Sequence, residues 1–325
     1  MRILVTGTAG YVGSLLAERL LADPDVTHVV ATDRRVRTEA PLPAGPKLTE
    51  VHGRLEDPSF VASWEKYLPL DAVVHAAFGV RAGYGREAKA VEHANIEGCR
   101  NVFDFCFRHR VPRLIYFSSA SVYGAKSGNT LDHFFSEAEP LREETYPYGA
   151  QKRFTEELVE SMHRSNGQDT RVVIIRPCSI TGPRFLAEPT KRITLVAFLT
   201  KLLPFIPEVS TEWSRQYIHE EDLCAATKLL MTTNDVAPFD SFNLAPHDYL
   251  TARDIAKALG KRTVRLPAGM MSAAMWVLWH STRGRVPTPS GSIEFYRYPI
   301  NLDGRKITRL GFEYRYGSRE CLLTA

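Results

Sequence analysis

Apolar, largely β-branched runs recur along the first half of the chain, at Ile3–Val5, His28–Thr32, Ala72–His75, Leu114–Phe117 and Val172–Ile175. Each lacks the polar alternation of a half-exposed strand, so each reads as a strand covered on both faces, as parallel sheets require. Helical periodicity fills the gaps, at Tyr11–Ala22, Ser59–Lys66, Lys89–Arg108 and Ala150–Ser165. Strand alternating with helix predicts an α/β fold built on a doubly wound parallel sheet. After Pro177 the pattern loosens, and prolines 183, 189, 204, 207 and 238 interrupt it. A helix at Glu221–Met231, a strand at Ser241–Leu244, a helix at Thr251–Leu259 and an apolar helix at Met270–Trp279 follow. The later segments predict a second, smaller region. No internal repeat or low-complexity segment is present.

The first strand runs into three glycines, Gly7, Gly10 and Gly13, and then into a helix from Tyr11. Glycine loses more backbone entropy on ordering than any other residue, so three together imply a need for absent side chains. A dinucleotide site supplies that need: a tight turn, close approach to a pyrophosphate, and close helix–sheet packing. Free N–H groups and the dipole of the helix N-terminus then favour the phosphates, which places Tyr11 and Val12 beside them. Asp33 ends the second strand, 20 residues beyond Gly13. A carboxylate there can accept hydrogen bonds from the adenosine ribose, which favours NAD; it can equally be an exposed turn residue. Arg34 and Arg35 leave NADP open, because an arginine at this point can bind the extra phosphate. The fold expected is therefore of Rossmann type.

Composition narrows the classes. The chain has 325 residues, 44% of them hydrophobic and 24% charged, with a net charge of +4. That balance is ordinary for a globular chain and gives no reason to expect a nucleic-acid partner. The five cysteines, Cys99, Cys106, Cys178, Cys224 and Cys321, have neither disulfide nor zinc spacing. Reduced thiols, a cytoplasmic location and no metal are expected. Met1–Val5 reads as a strand rather than a leader, and the longest apolar stretch, Met270–His280, is too short to span a bilayer; no membrane partner is expected.

Two segments carry candidate chemistry. In YPYGAQK, Tyr148 and Lys152 stand four apart, one turn along a single helix face. A phenol of pKa about 10 is a poor base at neutral pH. A nearby ammonium stabilises the phenolate, so Tyr148 can exchange a proton with a substrate oxygen while hydride moves at the same carbon. Tyr146 has Ala150 four residues on and lacks that partner. FSSASVYG places Ser118, Ser119 and Ser121 after a parallel strand, where ligands of open α/β sheets bind, although serine is also common in turns.

TGTAGYVG, Asp33, HAAF (75–78), Asn95, SSASVYG, YGAQK, RPCSITGPR, RQYIHEEDL, FNLAP and NLDGRKITRLGFEYRY occur in order and almost end to end. Together they resemble the extended short-chain dehydrogenase/reductases, the NAD-dependent nucleotide-sugar epimerase/dehydratase proteins. The resemblance implies a catalytic Ser119, Tyr148 and Lys152, with Lys152 also on the nicotinamide ribose. It implies cofactor contacts from Gly7, Gly10, Gly13, Leu55, Ala76, Ala77 and Pro177, and support from Asn95, which can equally be a satisfied polar core residue. Substrate contacts fall to Ser121, Ser179 and Arg215; a surface Arg215 paired with Glu220 or Glu221 is the alternative. A homodimer through Lys89–Arg108 and Ala150–Ser165 is implied as well. The domain division expected is a dinucleotide-binding unit over 1–177, completed by about 216–246, with substrate-binding segments at 178–215 and 247–325.

Four departures from the resemblance bear on function. Arg54 stands where an acidic residue commonly meets adenine, and Ala120 and Ser121 stand where dehydratases carry Asp-Glu. The asparagine that sugar epimerases often place near Ser179 is missing, as is an R-R-x-G-D diphosphate segment. A nucleotide-sugar 4-epimerase is the first expectation. An NAD(P)-dependent dehydrogenase or reductase of an apolar alcohol or ketone is the second, walled by the apolar helix. A non-catalytic dinucleotide-binding regulator is the third. Met271, Met275 and Leu278 form one stripe of that helix, and the stripe is expected to be core.

Overall fold

A computed structural model describes residues 1–38, 40–166, 168–185 and 203–324. Seven strands form one sheet, all parallel: β1 (Arg2–Thr6), β2 (His28–Asp33), β3 (Leu48–His52), β4 (Ala72–His75), β5 (Arg113–Phe117), β6 (Arg171–Pro177) and β7 (Phe239–Leu244). Their spatial order is β7–β6–β5–β4–β1–β2–β3. The order reverses between β1 and β4, where doubly wound sheets open a crevice at their C-terminal ends. β1, Asp33 of β2, the loop after β4 and the serines after β5 all reach that edge.

β3 is the strand that the apolar runs do not announce. At the sheet edge, its sequence LTEVH has no fully buried position. The interior strands β4 and β5 are buried at every residue. Alternate side chains of each strand feed two cores. Ile3 and Val5 pack with α1 (Tyr11–Leu21), while Leu4 packs with Phe103 of α2 (Arg86–Arg108) and with Trp64. α3 (Pro147–Asn166) lies beside α2, and α4 (Glu220–Thr232) beside α1.

The later segments form small strand pairs rather than a second sheet. Ser179–Thr181 pairs with Tyr217–His219, Ser214–Arg215 with Leu250–Thr251, and Phe205–Glu208 with Arg262–Arg265. A third cluster joins Ile206, Trp213, Tyr217 and Leu250 to Ile255 of α5 (Ala252–Ala258). Pro189 lies outside the described residues.

The apolar helix is present as α6 (Ala268–Ser281), and its stripe is the face turned inward, with Met275 fully buried and Met271 and Leu278 half-buried. Only Met275 is buried, while Met270, Trp276 and Val277 are 53%, 63% and 55% exposed. A helix apolar on every side cannot hide more than one face against a single neighbouring layer. All five cysteines are buried and unpaired. Among the described residues no helix is long and apolar enough to cross a membrane, and no His/Cys/Asp/Glu group could hold a metal.

Candidate active site

The glycine loop is shaped by what its missing side chains would strike. Gly7 has φ +79, and a Cβ there would lie 2.7 Å from the backbone of Ala77. A Cβ on Gly13 would lie 2.2 Å from the Gly7 carbonyl oxygen. These two glycines therefore serve the packing of β1, α1 and the loop after β4. At Gly10 the nearest atom would be the Gly7 carbonyl at 3.2 Å, so a side chain there would otherwise point into open space. α1 begins with no side-chain cap and no acid in its first turn. Open space before an uncapped helix N-terminus suits a pyrophosphate. The Tyr11 phenol itself is buried and donates to Glu220, which lies 209 residues along the chain. Val12 is half-buried on the same turn.

Asp33 is more than a turn residue. Its carboxylate accepts from Ala9 N at 3.1 Å and Arg35 N at 3.0 Å, and its side chain is only 11% exposed. It thereby ties the glycine loop to the end of β2 with lone pairs to spare for a diol. Arg34 is exposed, and Arg54 pairs with Glu56 in solvent. Leu55, half-buried, accepts from Asn101 through its carbonyl and packs under Gly98 of α2.

Asn95 is buried on α2 and spends its amide on neighbours. Gly79 N donates to its Oδ1 at 2.6 Å, and its Nδ2 donates to Gly79 O and Gln151 Oε1 at 3.1 and 2.8 Å. It clamps the loop of Ala76 and Ala77, both half-buried, against α3. Beneath it His75 bonds Thr6 Oγ1 at 2.7 Å and Cys99 Sγ at 3.2 Å. Burial, and then the Lys152 charge, pull this imidazole down to about 3.

The segment before α3 winds around the buried Glu143, which accepts from the backbone N–H of Glu144, Thr145 and Tyr146. Gly149 lets that turn approach the serine loop, since a Cβ would lie 2.7 Å from Glu143 Cγ and 3.0 Å from Ser121 O. Farther along α3, Glu156 is locked to Arg176 of β6 by bonds of 2.6 and 3.1 Å. Arg176 also donates to Tyr123 Oη at 2.8 Å. α3 is thus held to the sheet at its start and at its middle.

On this frame Ser119 and Tyr148 meet. Burial pushes the Tyr148 phenol up to about 12, and a hydrogen bond with the Ser119 hydroxyl pulls it back. Ser121 donates to Ser119 Oγ at 3.0 Å. Lys152 is 2% exposed and lies one turn along the same helix, but its ammonium serves other groups. It donates to Phe117 O and to Tyr116 Oη, and sits 3.7 Å from the centre of the Phe78 ring. Phe78 also meets Tyr148 edge-on at 5.7 Å. No hydrogen bond links Lys152 to Tyr148 among the described residues; the phenyl of Phe78 touches both. Burial pulls the ammonium down to about 7, with Cys99 and Glu156 opposing.

Arg215 departs from the surface-pair alternative. Glu220 takes the Tyr11 phenol and Glu221 pairs with Arg19, so neither serves Arg215. Its guanidinium lies 5.6 Å from the Trp213 ring and 5.9 Å from the Tyr296 ring, with no acidic partner among the described residues. Tyr146 links this cluster to Tyr148, at 6.2 Å from it and 4.9 Å from Phe295. Pro177, at the end of β6, is buried, and Ser179 is half-buried on the strand beside Tyr217. Phe78, Tyr146, Trp213 and Tyr296 are the site neighbours that sequence spacing missed. Only HAAF, with a large ring after two alanines, carried a visible signal.

The model of the NAD dependent epimerase/dehydratase family matches residues 3–245. An uncharacterised UDP-glucose epimerase, YtcB, of Bacillus subtilis is 30% identical over 195 residues, 57% of this chain and 58% of that protein. The chain thus spans little more than half the length of that relative. A dTDP-glucose 4,6-dehydratase of Streptomyces antibioticus is 28% identical over 280 residues, covering 80% and 76%. A UDP-glucose 4-epimerase of Thermotoga maritima, solved with UDP-glucose, superposes with a TM-score of 0.75 at 22% identity, over 100% of this chain and 97% of that one. That likeness shows the doubly wound fold.

Proposed function

The chain belongs to the NAD dependent epimerase/dehydratase family, and from that premise we propose that it is an NAD-dependent epimerase of a nucleotide sugar, of the 4-epimerase type. The observation that carries the nucleotide-sugar reading is Arg215, a cation without an acidic partner among the described residues, set among rings next to Tyr146 and Tyr148. Such a guanidinium suits a diphosphate, which it can bind with two parallel bonds. The apolar-alcohol alternative drew on α6, whose Met270, Trp276 and Val277 are exposed.

In this reading Gly10 and the N-terminus of α1 receive the pyrophosphate, Asp33 the adenosine ribose, and Lys152 the nicotinamide ribose. Leu55, Ala76, Ala77 and Pro177 line the same edge. Bound NAD supplies a hydride acceptor that can return the hydride. Tyr148 accepts the proton of the sugar hydroxyl as its carbon is oxidised, and gives it back on reduction. Ser119 holds the reacting oxygen and steadies the phenolate from beside it. Ser121 and Ser179 border the sugar, and the late segments with Arg215 take the nucleotide. A homodimer through α2 and α3 fits their side-by-side packing and the 45% exposure of Phe154 on α3.

The test uses purified protein. Acid release should yield NAD, and UDP-glucose should equilibrate with its 4-epimer. Tyr148→Phe should lower kcat by about 10²-fold or more while NADH binding, read by fluorescence, persists. Protein without bound NAD and without turnover of UDP- or dTDP-hexoses refutes the reading.

A further inference from the structure

α6 contains no Asp, Glu, Lys or Arg, and its one titratable side chain is His280. A helix apolar on all sides belongs in a core or in lipid. Here protein buries Met275 and half-covers Met271, Leu278 and Trp279, and on the other side Met270, Trp276 and Val277 stand more than half exposed. From Ile255 to Ile293 the chain has no acidic residue but carries Lys257, Lys261, Arg262, Arg265, Arg283 and Arg285. Arg262 and Arg265 precede the helix, Arg283 and Arg285 follow it, and all four are exposed. None of the four forms an ion pair among the described residues, although surface arginines elsewhere, such as Arg108 and Arg164, find carboxylates. An uncharged, tryptophan-bearing helix lies between two uncompensated cationic ends.

We propose that α6 is a docking surface for an anionic lipid bilayer, lying in the plane of the interface. Apolar residues with tryptophan enter the acyl boundary, and arginines at the flanks meet the headgroups. The stretch is too short to span a bilayer, but a helix lying in the interface need not span it, and the cations stand at its ends. Self-association is the competing way to cover such a face. A second copy placed symmetrically on α6 would bring the same four arginines against themselves, which charge complementarity disfavours. The surface also connects to the site. Tyr84 is within hydrogen-bond distance of His280 Nδ1, at 2.9 Å, and meets Trp279 edge-on at 5.6 Å. It follows the loop whose Phe78 touches Tyr148 and whose Val80 is 50% exposed. The lipid face and the catalytic edge are therefore ends of one short segment. This inference stands apart from the choice of substrate.

Flotation of the full chain with vesicles tests it. The protein should float with phosphatidylcholine vesicles containing about 30% phosphatidylglycerol, much less with phosphatidylcholine alone, and less as salt rises. Trp276→Glu should cut the bound fraction about tenfold, and Arg283→Glu with Arg285→Glu should remove the preference for the anionic lipid. Both sites are exposed, so far-UV circular dichroism and the melting temperature should stay as in the parent chain. Failure to float with anionic vesicles, or flotation indifferent to Trp276→Glu, overturns the proposal. So does a mass by light scattering that halves in Trp276→Glu while flotation is unchanged, since a second copy would then be the cover.

Discussion

α1 and α6 are both short apolar helices, of 11 and 14 residues, and α6 is the more apolar of the two. Yet α1 buries seven of its residues, Tyr11, Gly13, Ser14, Leu15, Leu16, Ala17 and Leu20, while α6 buries Met275 alone. The difference lies in what each helix is offered. α1 crosses the face of a seven-stranded sheet and is backed by α4. α6 belongs to segments that form only two-stranded pairs, and no sheet face remains for it. Burial follows from the surface available as much as from the apolarity of the helix. The sharpest test is a pair of truncations. Leu16→Ala should destabilise the chain by about 3 kcal/mol, as deletion of a buried leucine from a close-packed core does. Trp276→Ala should stay within about 0.5 kcal/mol in lipid-free buffer. Urea denaturation of the two variants measures the contrast, and equal losses would mean that α6 is covered after all.

Much of the N-terminal half can be read from the chain because its chemistry is local. Continuous apolar runs marked β1, β2, β4, β5 and β6, since parallel strands are covered on both faces. β3 escaped the same test because an edge strand keeps polar residues such as Glu50. Gly7, Gly10 and Gly13 were legible through their spacing, and so was the helix face shared by Tyr148 and Lys152. What the Lys152 ammonium touches was not legible. Its partners, Phe117 and Phe78, come from separate strand ends, and the phenyl touches both the ammonium and the phenol. Tyr146 was set aside on helical spacing, yet it precedes α3 and enters through the loop around Glu143. The aromatic setting of Arg215 joins Trp213 to Tyr296, and no local pattern announces such a pair. In α6 the stripe Met271, Met275 and Leu278 marked the inward face, but apolarity on the other sides gave no sign that they would stay uncovered.

The two regions also differ in what acid does to them. The one titratable side chain of α6 is exposed, whereas His75 is wholly enclosed beneath the glycine loop. In the unfolded chain its imidazole takes a proton near pH 6.5. In the folded chain it holds off until about 3, chiefly because of burial. The unfolded state therefore binds more protons between those values, so this part of the stability is whole above about 6.5 and is lost as pH falls. Over the 1.5 units down to pH 5 the loss from this one group is about 2 kcal/mol. His75→Asn, which keeps a polar partner for Thr6, should flatten the fall between pH 7 and 5 by that amount. Parallel curves for parent and variant would show that another group governs the acid limb.

The smallest effect isolates the backbone. Gly13 and Gly269 both stand in the first turns of helices, α1 and α6. A methyl on Gly13 would collide with the Gly7 carbonyl, whereas a Cβ on Gly269 would meet nothing within 4 Å. Glycine in a helix is less favourable than alanine by up to about 1 kcal/mol, because it has more freedom to lose. Gly269→Ala should therefore stabilise the chain by about 0.5 kcal/mol, the lower part of that range suiting a first-turn position. The melting temperature should rise by only about 0.7 degrees, since a chain of this length has a large unfolding entropy. A loss of stability would mean that something presses on the outer face of α6 in solution, and the contrast between a helix with neighbours and a helix without them would fail at its most sensitive point.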